Sequence, residues 1–433
     1  MRNAVRHLAD LLNKIIFLGF GIQIILGIVW MCFNLPYFRE FGAEGGPVYR
    51  LLYPLLTKCY PLTYLLQVLC AFCAGMLCLG KLNPGMASAK KWLGGLALLT
   101  LPLAMQCHLS VSPYSFAASA FLCGMVSTAC AFRNPGKHLR EYAKGAVWFA
   151  IAPLFVPACF LPGLLTLLVA LAAFLYRLRK QMGLFARMAV VTAACIGLTA
   201  GVFSLDGTAL LPDRETVYFH LAGRLCWPKL FADHSVWPED LQEIYRDSVL
   251  EISCYADEME QSFRPIMLAH FDKETAVEQY RVLMRIARNR HKTLLLKQMA
   301  GDFATYLAAP VFLPLQLKGR LSVSYAGRNY EQMLEHTPVL SARYVNFGCV
   351  FFPVAGLAAV LAAVLAVAGG SRKISKQNVA SGMITLTSSV SLCLVFTLRG
   401  AGIADYKGTI AVSLLWMLWM FTATEVSAEA SDA

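Results

Sequence analysis

The chain has 433 residues, of which 58% are hydrophobic and only 15% charged, with a mean hydropathy of +0.56. A soluble globular domain carries closer to about 25% charged residues, so the composition excludes an ordinary soluble enzyme and points to a polytopic membrane protein. The formal net charge of +12 lies largely in short loops between apolar runs, where topology explains it. No basic stretch interleaved with aromatics, as single-strand binding requires, is present, so nucleic acid is not an expected partner.

Runs long enough to cross a bilayer, roughly 17–25 residues, recur along most of the sequence. They predict spans at 14–34, 62–80, 92–109, 113–132, 145–160, 163–177, 187–205, 344–368, 379–398 and 408–425, about ten in all. The expected fold is an all-α integral membrane protein with a helical extracytoplasmic domain inserted before the last three spans. The N-terminus is basic and runs into "IIFLGFGIQIILGIVWMCF". That apolar core is too long for a signal peptide and no small-x-small cleavage site follows, so it reads as a retained first span.

The second outer feature is the loop "PYFREFGAEGGPVYRLLYP" between the first two spans, which carries Glu40 and Glu44 with Arg39, Arg50 and three tyrosines. A carboxylate beside apolar and aromatic surface has its charged form disfavoured, which suits a general base. The plainer reading is a connector in which Glu40 pairs with Arg39 or Arg50. Farther on, Lys81, Lys90 and Lys91 follow the second span, and "QCHLSVSP" places His108 at the end of the third, as an interfacial hydrogen-bonder or, less simply, a ligand. Arg133, Lys137, Arg140 and Lys144 lie between the fourth and fifth spans, and the fifth and sixth are joined by "LPG" as a tight helical hairpin. Arg177, Arg179, Lys180 and Arg187, then Arg372, Lys373 and Lys376, complete an alternating set of basic loops, while "CHLSVS" and "CFLPG" on the other side hold no lysine or arginine. The positive-inside rule then puts both termini in the cytoplasm and the first loop outside.

Residues 206–340 fall outside by the same count, giving domains at 1–205, with its first outer loop at 35–61, at 206–340 and at 341–433. Within the middle segment, 272–309 starts with acids and continues in strong helix formers, which predicts a long helix. Arg281, Arg285, Arg288 and Lys292 line one face of it, either as a solvated stripe or as a holder of phosphates at the membrane surface. Cys226 and Cys254 are the two cysteines of this polar segment, and a disulfide and two thiols are both open readings. Before the last span, "RGAGIADYKG" puts Arg399 and Lys407 on the side poor in cations. Snorkelling anchors account for them. No HExxH, P-loop or GxSxG pattern occurs, and no cysteine pair has zinc-site spacing in a polar context.

The layout becomes specific when these pieces are taken together: the acidic first loop leading into "YRLLYPLLTKCYPLTYLLQVLCAFCAG", then "HLSVSPYSFAASAFL", "WFAIAPLFVP", "GDFATYLAAPVFLPLQLKGRLSVSYAGRNYEQMLEHTPVLSARY" and "LRGAGIADYKGT". It resembles the multispan membrane glycosyltransferases of the C-type superfold, notably members from Gram-positive bacteria. The resemblance implies sugar transfer from a polyprenyl-phosphate donor to an envelope glycan or lipid acceptor, on the outer face of the plasma membrane. It gives the base role to Glu44 first and Glu40 second, and donor-phosphate contacts to Arg399 and Lys407, with Arg328 and Tyr330 after them. It implies membrane lipid as surroundings and no covalently bound cofactor, and no residues argue for a divalent metal. The sequence departs from that family in having glutamates where an aspartate is common, and no acid in the loop between the third and fourth spans. A lipid or precursor transporter, and a non-catalytic envelope component, are the alternatives.

Overall fold

The computed structural model describes residues 2–34, 45–133, 135–177, 181–211, 214–219, 237–248, 267–290, 292–307, 338–368, 376–398, 411–412, 414–416 and 418–419. The protein is all-helical, without a strand among the described residues. Among the described residues, six helices are long and apolar enough to cross a membrane, at Lys14–Phe33, Tyr60–Leu82, Tyr114–Arg133, Pro157–Tyr176, Met182–Asp206 and Val379–Leu398, which fits an integral membrane protein. The expected span at 408–425 lies mostly outside the described residues.

Residues 1–210, 308–392 and 407–433 form one compact unit, and residues 211–307 with 393–406 form a second. In the first unit the helices are α1 (Arg2–Asn34), α2 (Pro47–Lys58), α3 (Tyr60–Leu82), α4 (Ser88–Leu99), α5 (Pro102–His108), α6 (Tyr114–Arg133), α7 (His138–Phe155), α8 (Phe160–Arg177) and α9 (Met182–Asp206). At its centre is α6, with 94% of its apolar window buried against 28% for α9. Its small residues are the reason: without a hydrophobic drive between helices in lipid, close approach needs short side chains. A Cβ at Gly145 of α7 would collide with the Thr128 side chain and lie 3.2 Å from the Gly124 carbonyl oxygen, so the α6–α7 seam closes only over glycine. Tyr142 of α7 shares a 2.7 Å hydrogen bond with Thr192 of α9, which secures the third helix of this group.

Two spans expected as continuous are interrupted. The 92–109 run is split into α4 and α5 at Thr100 and Leu101, because Pro102 cannot continue the ladder and restricts the residue before it. The freed Thr100 carbonyl accepts from Gln23 Nε2 of α1 at 3.0 Å and from the Tyr344 hydroxyl at 2.6 Å. The hairpin expected at "LPG" turns earlier, at Val156 and a short 3-10 segment Pro157–Cys159, so that Leu161, Pro162 and Gly163 lie within the first turn of α8. Proline is tolerated in a first turn because its missing N–H has no intrahelical partner there anyway.

Two long helices follow in the sequence, α13 (Pro338–Ala368) and α14 (Lys376–Leu398), numbered after three in the second unit: α10 (Glu239–Ser248), α11 (Lys273–Arg290) and α12 (Lys292–Leu307). α1 packs along α13, with Trp30 stacked on Tyr344 at 5.2 Å and Phe20 edge-on to Phe351 at 5.0 Å. Thr166 of α8 donates to Ser388 of α14.

The second unit is amphipathic rather than apolar. α11 buries Ala276, Val277, Tyr280 and Leu283, one face of a 3.6-residue period, and its N-terminus is capped by Asp272, whose Oδ1 accepts from the Thr275 amide at 2.7 Å. The helix expected over 272–309 is two, with Lys292 opening the second, so the four-cation stripe does not lie on one helix. Arg281 is engaged by Glu278 and stands 4.8 Å over the Tyr218 ring. It belongs to an open groove of about 560 Å³ that also holds Arg214, Lys273, Glu215, Glu274 and Glu278. Three cations against three acids leave no net attraction for phosphate.

Candidate functional site

Glu40 and Glu44, expected to do the chemistry, and Arg328, Tyr330, Arg399 and Lys407, expected to hold donor phosphate, lie outside the described residues, as do Cys226 and Cys254. What the described residues define is the place where the first loop rejoins the bundle. The Gly46 amide donates to the Phe155 carbonyl at 2.7 Å. A Cβ at Gly46 would lie 2.5 Å from the Leu154 oxygen and 2.6 Å from that of Pro153. The chain is therefore pinned against the last turn of α7, and only glycine allows it to come so close. Glu44 directly precedes this Gly45–Gly46 anchor in the sequence.

From the anchor α2 runs across the end of the bundle. The Tyr49 hydroxyl, on a wholly buried side chain, donates to the Val111 carbonyl at 3.0 Å. Burial, with nearby Tyr53 second, pushes the Tyr49 phenol well above its usual range, so it remains a neutral donor. Arg50, one residue on, is taken by Asp206 at the end of α9 and donates to Thr208 at 2.9 Å. Its partner in the described structure is thus an acid of α9.

Val111 belongs to the connection between α5 and α6, residues 109–113, and this connection is recessed. Gln67 Nε2 donates to the Ser112 carbonyl at 3.1 Å, and Gln67 is seven residues into α3, about 10 Å below its start at 1.5 Å per residue. Irregular backbone at such depth persists only where protein groups satisfy it. Gln67 and Tyr49 each satisfy a carbonyl here. His108, 1% exposed, closes the stretch with Nδ1 2.7 Å from Ser115 Oγ. The floor of the recess is thus neutral: one imidazole, amides and hydroxyls, with apolar packing from Trp30, Met105, Leu109 and Tyr344 around it.

The opposite end of the bundle is charged. Lys81 Nζ lies 2.8 Å from Glu141 Oε2 and donates to Ser127 at 2.6 Å, while Lys144 donates to Glu141 Oε1 at 3.1 Å. Arg133 donates to the Leu82 carbonyl at 3.1 Å. Burial pushes the Glu141 carboxyl up, but hydrogen bonds and charge from Lys81 and Lys144 more than offset this and hold it below its ordinary value. A carboxylate locked this way is a structural tie and a poor base. No group of three or more histidines, cysteines or acids that would hold a metal occurs among the described residues.

Sequence reasoning missed Gln23, Gln67, Thr100 and Tyr344. The available signal was a glutamine in the middle of each of two otherwise apolar runs, since an amide there needs a partner inside the bundle. No protein-family model, no curated protein and no solved structure matches the chain. The class that fold and recess define is a helical bundle of membrane-crossing length with a neutral polar recess at one end.

Proposed function

We propose that the protein is a membrane glycosyltransferase that moves a sugar from a polyprenyl-phosphate donor to an envelope glycan or lipid acceptor on the extracytoplasmic face. Glu44 is the base that activates the acceptor hydroxyl, with Glu40 the next candidate, and Arg399 and Lys407, then Arg328 and Tyr330, hold the donor phosphate. The observation that carries the reading is the Gly46–Phe155 anchor: it ties the C-terminal end of the acid-bearing loop to the same bundle end that holds the neutral recess. A general base suits transfer to a hydroxyl, where the proton has to leave as the new bond forms, and Glu44 is two residues from Gly46 in the sequence. The separation of Lys81, Arg133 and Lys144 from this end supports a cytoplasmic assignment for the cationic end.

The test uses the full chain in proteoliposomes with a polyprenyl-phosphate sugar. Glu44→Gln abolishes transfer at unchanged expression and melting temperature. Full activity in both Glu44→Gln and Glu40→Gln refutes the site.

A transporter is the second reading, favoured by the break at Thr100 between α4 and α5, since discontinuous helices build many transport sites. Lipid movement across the same proteoliposomes without any sugar donor would select it.

A further inference from the structure

The recess contains more hydrogen-bonding capacity than the protein uses. Among the described residues, Gln67 Oε1, Ser112 Oγ and His108 Nε2 are buried and without a hydrogen-bond partner. Gln67 already binds the Ser112 carbonyl through its other amide atom, and Ser112 lies four residues from His108 along one recessed stretch. Buried polar atoms are almost always satisfied, and leaving three unsatisfied around one loop carries a cost that a ligand removes.

The chemistry of the three atoms selects the ligand. Gln67 Oε1 accepts only, and Ser112 Oγ both donates and accepts. His108 Nδ1 is committed to Ser115, so Nε2 is a donor in one tautomer and an acceptor in the other. Water, with two protons and two lone pairs, matches this set in either tautomer, and a single hydroxyl matches it when Nε2 carries the proton. Phosphate does not, because no cation is among the side chains that bind this stretch. We infer that the recess at 108–112 is a binding site for neutral hydroxyl groups, held by Gln67, Ser112 and His108: water in the protein alone, and a sugar hydroxyl when one is supplied. The inference stands on these atoms and does not depend on the sugar-transfer reading.

Radiolytic hydroxyl-radical footprinting tests it, because radicals formed from bound water oxidise side chains next to that water even when they are buried. The full chain is irradiated in phosphatidylcholine nanodiscs and mapped by mass spectrometry. Met105 and Cys107, buried on α5 next to the recess, are compared with Met125 and Cys123, equally buried on α6. The expected result is labelling at least about threefold higher for the α5 pair, falling toward parity in Ser112→Ala and in Gln67→Leu. Equal labelling of the two pairs in the native protein overturns the site, and needs no variant to fold. Unchanged α5 labelling in both variants overturns the assignment of its ligands. Addition of excess methyl glucoside separates the two sources: lowered α5 labelling means that a sugar hydroxyl displaces the water, and unchanged labelling refutes the sugar half of the inference.

Discussion

The anchor at Gly46 makes the sharpest prediction. Its φ of −73° and ψ of 176° are open to any residue, so alanine meets no conformational barrier there, and the whole effect of Gly46→Ala is steric. The new methyl would meet the Leu154 and Pro153 carbonyl oxygens, at 2.5 and 2.6 Å, and backbone cannot rotate away as a side chain would. To make room, the chain has to leave the last turn of α7, which breaks the 2.7 Å bond from Gly46 to Phe155. A buried carbonyl left without its donor costs about 1–3 kcal/mol, and forced overpacking costs a similar amount. With partial relaxation, the expected loss is about 2–4 kcal/mol. Thermal unfolding in nanodiscs, followed with a thiol-reactive fluorophore after the exposed Cys32, Cys59 and Cys73 have been blocked, reads this, because Cys107, Cys123, Cys159 and Cys195 are buried until the bundle opens. Gly80→Ala is the control: nothing lies within 4 Å of a Cβ at that helical position, and alanine there gains up to about 1 kcal/mol of helix propensity. Gly46→Ala melting together with Gly80→Ala would refute the anchor.

At the break between α4 and α5, Tyr344→Phe and Gln23→Leu each remove one of the two donors to Thr100 and cost about 1 kcal/mol singly. The double variant leaves the carbonyl bare and loses about 1–3 kcal/mol beyond the sum, and additive melting shifts would refute the shared acceptor. At the charged end, the depressed Glu141 carboxyl contributes stability that is present above its unfolded pKa and lost as pH falls through the folded one. Melting temperature therefore declines as pH drops from about 5 downward, and Glu141→Gln flattens that decline while lowering stability at pH 7. An unchanged slope in the variant would refute the tie to Lys81 and Lys144.

The helical, membrane-compatible character of the chain was legible because span length and hydropathy are local properties. The places where the reading erred are those where local signals were ambiguous. Pro102 stands inside an otherwise unbroken apolar run, and the partners that make a break tolerable, Gln23 and Tyr344, are 77 and 244 residues away from Thr100. "LPG" looked like a turn, but Pro162 fits a helix's first turn as well, and Val156–Pro157 made the turn instead. His108 sits at the end of an apolar run, which reads as interfacial, whereas it is buried and bonded to Ser115 of α6. The two glutamates of the first loop were the visible feature of the site, while the glutamines that build the recess are inconspicuous until the helices are assembled.

The seam between α6 and α7 has a consequence for how the chain is made. Of the six membrane-length helices, α6 is the least apolar and the most enclosed. Its Ser115, Ser119, Ser127 and Thr128 are buried by neighbours that include α3, already synthesised, and α7, still to come. Until residue 155 has emerged from the ribosome, Gly145 has no place against Thr128, although Ser115, Ser119 and Ser127 already have partners in His108, the Ser115 carbonyl and Lys81. The innermost helix is therefore the one that cannot settle alone. Its enclosed face is completed only when α7 is made, so packing at the bundle's centre follows synthesis of residue 155.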